Sequence, residues 1–241
     1  MAILNYQLSV FGNYSVLPTP ETVTVLMNAI NQATGELFLP NLISGQQVEL
    51  PTNRITTISN LGYITQNQKF NIAILNERID VTYNRIDSDD MSLTVFYEFA
   101  AKALGAIMQN QNLRARRLAI NIQAITNNMS EENISDLGKQ LIKCAAYYED
   151  KPFVEWSTRV NSESSIQLGG DEEKLNTIVE ISTVKSMPLQ LPALIYHLDI
   201  NSMPQKTDLR FSSTSLIEFV NAVKPIVGNV LSDVERLISV D

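Results

Sequence analysis

Twice along this chain a two-residue alternation of apolar and polar side chains gives way to a helical period, and that doubled switch limits the folds open to it. Residues 3–11 read as a strand that ends in the turn signal Gly12-Asn13. Thr19-Pro20-Glu21 then offers an N-cap, a proline at the first helical position and an early acid. A helix over 20–33 is expected, with Val23, Leu26, Met27 and Ile30 on one stripe and Gly35 as its stop. Extended segments follow at 36–39, 47–50, 54–59 and 69–83. In the last of these, Phe70, Ile72 and Ile74 share one parity while Ile79, Val81 and Tyr83 take the other, which predicts a hairpin or bulge near Asn76-Glu77. After Asp87-Ser88-Asp89-Asp90, a long half-buried helix carries Leu93, Phe96, Tyr97, Ala100, Leu104, Ile107 and Met108.

The second pass opens on residues 117–125, where Leu118, Ile120 and Ile122 alternate with Ala119, Asn121 and Gln123. Ser130-Glu131-Glu132 starts a helix expected to hold Ile134, Leu137, Leu141, Cys144 and Tyr148 on one stripe. Strands near 153–160, 175–184 and 193–200 come next, with Gly169-Gly170-Asp171 as a turn and Trp156 on the apolar parity of its strand. Ser215-Leu216-Ile217-Glu218 reads as the capping box of a final helix. Both halves, 1–113 and 114–241, therefore run strand, helix, several antiparallel strands, long helix. The class this implies is α+β, with antiparallel sheet covered by helices on one face, either one sheet to each half or a single sheet shared by both. The order is similar to that of saddle-shaped proteins related to the TATA-binding protein. That likeness is topological, with no shared motif, and it implies a curved sheet rather than an activity.

Composition narrows the function classes. A formal charge of -8 repels nucleic-acid phosphates, so direct nucleic-acid binding is not expected. The apolar segments are too interrupted to span a bilayer, and the first residues do not resemble a secretory leader, so a cytoplasmic location is expected. His197 and Cys144 are the single histidine and cysteine, which argues against zinc sites and internal disulfides. Glycine-rich phosphate loops are absent from the sequence, so neither metal nor cofactor is expected.

Few polar candidates remain. His197 shares a strand face with Asp199, and such a pair can serve a nucleophile, although no serine stands in a nucleophile-elbow motif to use it. Packing is its expected role. Arg114, Arg116 and Arg117 could grip an acidic partner, or pair internally with Asp87, Asp89 and Asp90, the expected use. Glu131-Glu132 and Asp171-Glu172-Glu173 read as exposed acids at a helix start and a turn. In the last helix, Leu216, Val220, Val223, Val227, Val230, Val234 and Leu237 follow a 4,3 spacing that suits either the chain's own core or a partner helix, and Pro225 should kink it. The expectation for function is a non-enzymatic interaction or assembly protein with protein partners, its own copies among them. An acidic inhibitor of a nucleic-acid-processing or defence protein, of the kind phages encode, and a small-molecule binder are the alternatives.

Overall fold

The computed structural model describes residues 2–49, 54–86, 91–126, 129–143, 146–186 and 190–238, with the backbone alone for 45–49 and 54–58. The first half contains β1 (Ala2–Phe11), α1 (Pro20–Thr34), β2 (Phe38–Glu49), β3 (Arg54–Thr65), β4 (Phe70–Ile74), β5 (Arg78–Asn84) and α2 (Leu93–Asn110). The second contains β6 (Arg117–Ile125), α3 (Glu131–Leu141), β7 (Ser157–Leu168), β8 (Asp171–Ser186), β9 (Leu191–Ser202) and α4 (Ser213–Ile238). All nine strands join one antiparallel sheet in the order β2-β3-β4-β5-β1-β6-β9-β8-β7. The α+β class is as expected. Each half begins at the middle of the sheet, where β1 and β6 pair with each other, crosses by a helix to its own edge at β2 or β7, and fills inward until β5 meets β1 and β9 meets β6.

Local chemistry explains the element ends. The Thr19 side chain accepts from the Thr22 N–H at the start of α1, and Gly35 closes that helix at φ 77°, a left-handed position. The phase change in the 69–83 run is a hairpin: β4 and β5 pair through Ile74 and Ile79, with the turn at Asn76-Glu77 between them. Gly169 and Gly170, at φ 61° and 90°, make the tight β7-β8 turn.

Even-numbered side chains of β1 (Tyr6, Leu8, Val10) and β6 (Leu118, Ile120, Ile122, Ala124) are buried, as alternation requires. They meet Phe96, Tyr97, Ala100 and Leu104 of α2 and the inner face of α4 in one continuous core. Tyr6 stacks on Phe96 at 5.3 Å between ring centroids.

Several expectations need correction. α3 stops at Leu141, and Tyr148 belongs to a separate 3-10 turn, Ala146–Tyr148, so it does not extend the α3 stripe; Cys144 lies outside the described residues. β7 starts at Ser157, so Trp156 sits before the strand. Its indole is buried all the same, donating from Nε1 to the Ile134 carbonyl at 3.0 Å. α4 begins at Ser213, and the reciprocal cap is Ser212 with Ser215, whose hydroxyls accept each other's backbone N–H at 3.3 and 3.2 Å. Glu218 is released from capping and takes the Gly169 N–H at 2.8 Å, tying the β7-β8 turn to α4. Pro225 lies inside α4, where the sequence placed it. No helix among the described residues is long and apolar enough to cross a membrane.

Candidate functional site

Helices cover one face of the sheet, and the alternation that buries the even positions of β1 and β6 brings their odd positions to the other. There the central strands carry amides in register. One row runs Asn84, Asn5, Gln123, His197, Glu180 from β5 to β8. The next runs Thr82, Gln7, Asn121, Asp199, Ile178, and a third Asp80, Ser9, Ala119, Asn201, Asn176. Neighbours hold one another: Asn5 Nδ2 donates to Gln123 Oε1 at 2.9 Å, and Asn201 Nδ2 donates to Asp199 Oδ1 at 3.0 Å. Gln7 Nε2 donates to Ser9 Oγ at 2.9 Å, and Ser9 Oγ passes a 2.7 Å bond to Asp80 Oδ1. The other Asp80 oxygen meets Arg78 Nε at 2.9 Å.

The third row is the deepest part of this face, because Ser9, Asp80, Ala119 and Asn201 are buried while the amides of the other two rows reach solvent. Asn71 Oδ1, beside Thr82, and Arg117 Nε are buried with no hydrogen-bond partner among the described residues. Such atoms cost stability unless something supplies a partner. The Arg117 guanidinium lies over the Phe11 ring at 4.6 Å. Burial pulls its pKa down, the Asp199 carboxylate pushes it back up, and Arg116 adds a smaller downward pull.

Burial also raises the Asp80 carboxyl above its usual range, against the opposing pulls of Ser9, Arg78 and Gln7. A folded-state pKa above the unfolded one means that the fold holds the proton more tightly. The stabilisation is then fully present below the unfolded value and is lost as pH rises through the folded one. Asp80→Asn should therefore gain on the wild type as pH rises from about 3 to 7, in unfolding curves taken across that range. Parallel curves for the two proteins would contradict this.

The sequence candidates separate in space. His197 and Asp199 do share the open face, where the residues directly opposite His197 are Gln123 and Glu180 and the Ser182 hydroxyl stands diagonal to it, with no hydrogen bond to His197. Arg117 joins them on that face. Arg114 instead fastens the loop before α4, donating from Nε to the Leu209 carbonyl at 2.8 Å and from Nη2 to the Arg210 carbonyl at 2.9 Å. Arg116 contributes backbone, giving its N–H to Phe11 and accepting from Arg210 Nη1 at 2.6 Å. The three arginines do not converge on one anion, and Asp87, Asp89 and Asp90 lie outside the described residues.

Glu173 also departs from its expected place as an exposed turn acid. It is 4% exposed and holds Arg210 at 2.9 and 3.2 Å and Lys206 at 3.0 Å. In the α4 seam, Leu216, Val220, Val223, Val227 and Val234 are buried, and Val230 and Leu237 pack half-buried on the same core. The seam is used by this chain's own core, against α2 and the sheet; Ile217, 53% exposed, faces out.

Beside α3 lies a cavity of about 870 Å³ with Ile134, Phe153, Val184 and Pro192 among its apolar lining residues. Glu131, Glu132, Asp136, Asp150 and Glu155 line it too, against Lys139 and Lys185. No group of acids, histidine or cysteine suited to a metal ion occurs among the described residues.

No family model matches the chain, and no curated protein matches it. Among solved structures it is similar to the di-domain ARO/CYC StfQ from the steffimycin biosynthetic pathway, at 9% identity and a TM-score of 0.26 over 98% of this chain and 96% of that one. A likeness that slight bears on neither fold nor function.

Proposed function

We propose that the chain is a non-enzymatic interaction protein that offers the open face of its sheet to a protein partner. The observation that supports this is the amide lining of that face, with Asn5, Gln7, Asn121 and Gln123 across the β1-β6 seam. Each amide carries a donor and an acceptor, so the surface can meet the mixed polar groups of another protein without strong charge of its own. The surroundings of His197 favour binding over catalysis, since the residues directly opposite it are an amide and a carboxylate, and it makes no hydrogen bond to the diagonal Ser182.

Tagged purification from native cytoplasm, with proteins and small molecules identified together, tests the reading. A stoichiometric protein partner is expected, and a chain that emerges alone argues against it. The cavity beside α3 supports a second reading, a small-molecule binder, because its volume is that of ligand pockets and its acids suit a cationic ligand with an apolar body. Retention of a small cation, with no protein, would favour that reading.

A further inference from the structure

The two edges of the sheet are built differently. β2 carries Pro40, which has no N–H to donate and so blunts that edge against pairing. β7 contains no proline and pairs with β8 without a register shift from Ser157 to Leu168, leaving its outer backbone row open along its length. Its residues are mostly exposed, Val160 to 60%.

The charges of this strand are self-complementary. Arg159 and Glu163 are the two charged residues of β7, and both stand on the open-face parity with Asn161 midway between them. If two copies meet antiparallel about Asn161, Arg159 of each faces Glu163 of the other, and both ion pairs form at once. In the same register Val160 faces Ser162 of the other copy and lies diagonal to its Val160, so the exposed valine gains an apolar neighbour. No other antiparallel register sets both charges opposite their complements.

We propose that the chain forms a two-fold dimer by pairing β7 with β7 of a second copy, centred on Asn161. Antiparallel strands keep facing residues on one side of the sheet, so the two open faces lie on the same side of an eighteen-stranded sheet, twice the nine of one chain. The dimer stands or falls independently of what the open face binds.

Sedimentation velocity of the full chain tests it with charge reversals. Arg159→Glu and Glu163→Arg should each weaken the dimer by on the order of tenfold, and Arg159→Glu/Glu163→Arg together should restore it. Unfolding curves establish that each variant is folded. As a readout free of charge effects, Asn161→Cys in a Cys144→Ser background should give a disulfide-linked dimer on mild oxidation. A wild type that stays monomeric at its highest soluble concentration overturns the proposal. So does a dimer indifferent to both single reversals, a double variant that stays weak, or a 161 thiol that fails to cross-link.

Discussion

Glu173→Ala should lower the stability of the fold by about 3 kcal/mol, the largest effect expected of a single polar substitution here. Arg210 is 16% exposed on its side chain and meets both carboxylate oxygens, the bidentate geometry that makes such pairs strong. It also stacks on Phe211 at 4.3 Å and donates to the Arg116 carbonyl, so one guanidinium joins the start of β8, the start of β6 and the loop leading into α4. Removing the carboxylate leaves that guanidinium with only the exposed Asp208, 3.6 Å from Nη1, as counter-charge, which costs more than the pair itself contributes. Lys206 is 45% exposed and can return to water, so its share of the loss is small. Glu173→Gln, which retains one oxygen for Arg210, should lose about half as much. Urea unfolding followed by circular dichroism checks the order wild type, Gln, Ala. An alanine variant as stable as the wild type would mean that the triad holds nothing.

Gly138→Ala should cost about 2 kcal/mol through overpacking. A Cβ built at Gly138 would stand 2.6 Å from Trp156 Nε1 and 2.9 Å from Phe153 Cδ2, so the indole must move. Moving it breaks the bond from Nε1 to the Ile134 carbonyl and disturbs the segment that leads into β7. Trp156 is the sole tryptophan, so its fluorescence reports the change directly. A red shift with a lower melting temperature is expected, and an unchanged spectrum would show that the contact is slack. The cavity beside α3 shares Phe153 and Ile134 with this contact, so the same variant should weaken any ligand held there.

What the sequence makes legible is the part governed by local rules. Thr19-Pro20, Gly35 and the Gly169-Gly170 turn act through their own backbone conformations, and the structure uses them as read. The parity change at Asn76-Glu77 marks a hairpin for the same reason. Ser215 and Glu218 show where local rules stop. Their spacing is that of a capping box, but Ser212 competes for the cap and the Gly169 N–H, 49 positions away in sequence, claims the glutamate. Glu173 looks like a turn acid until the loop after β9 folds back on it with Arg210 and Lys206.

The candidate site was half visible. Alternation in β1, β6 and β9 shows that Asn5, Gln7, Asn121, Gln123, His197 and Asp199 belong to polar faces. Nothing local shows that these faces become one, because that depends on β1 pairing with β6, and β6 with β9, in these registers. Asp80 and Asn71 enter through the order of strands in the same way.

Asn121 stands at the centre of the open face, between Gln7 and Asp199, and its substitution tests the function of that face most directly. The measurement is quantitative capture of protein partners by tagged wild type and by Asn121→Arg, with Glu132→Lys at the α3 cavity as the control. A folded Asn121→Arg should lose the partner that both the wild type and Glu132→Lys retain. An Asn121→Arg protein that captures the same partner in the same amount would contradict a binding role for the open face.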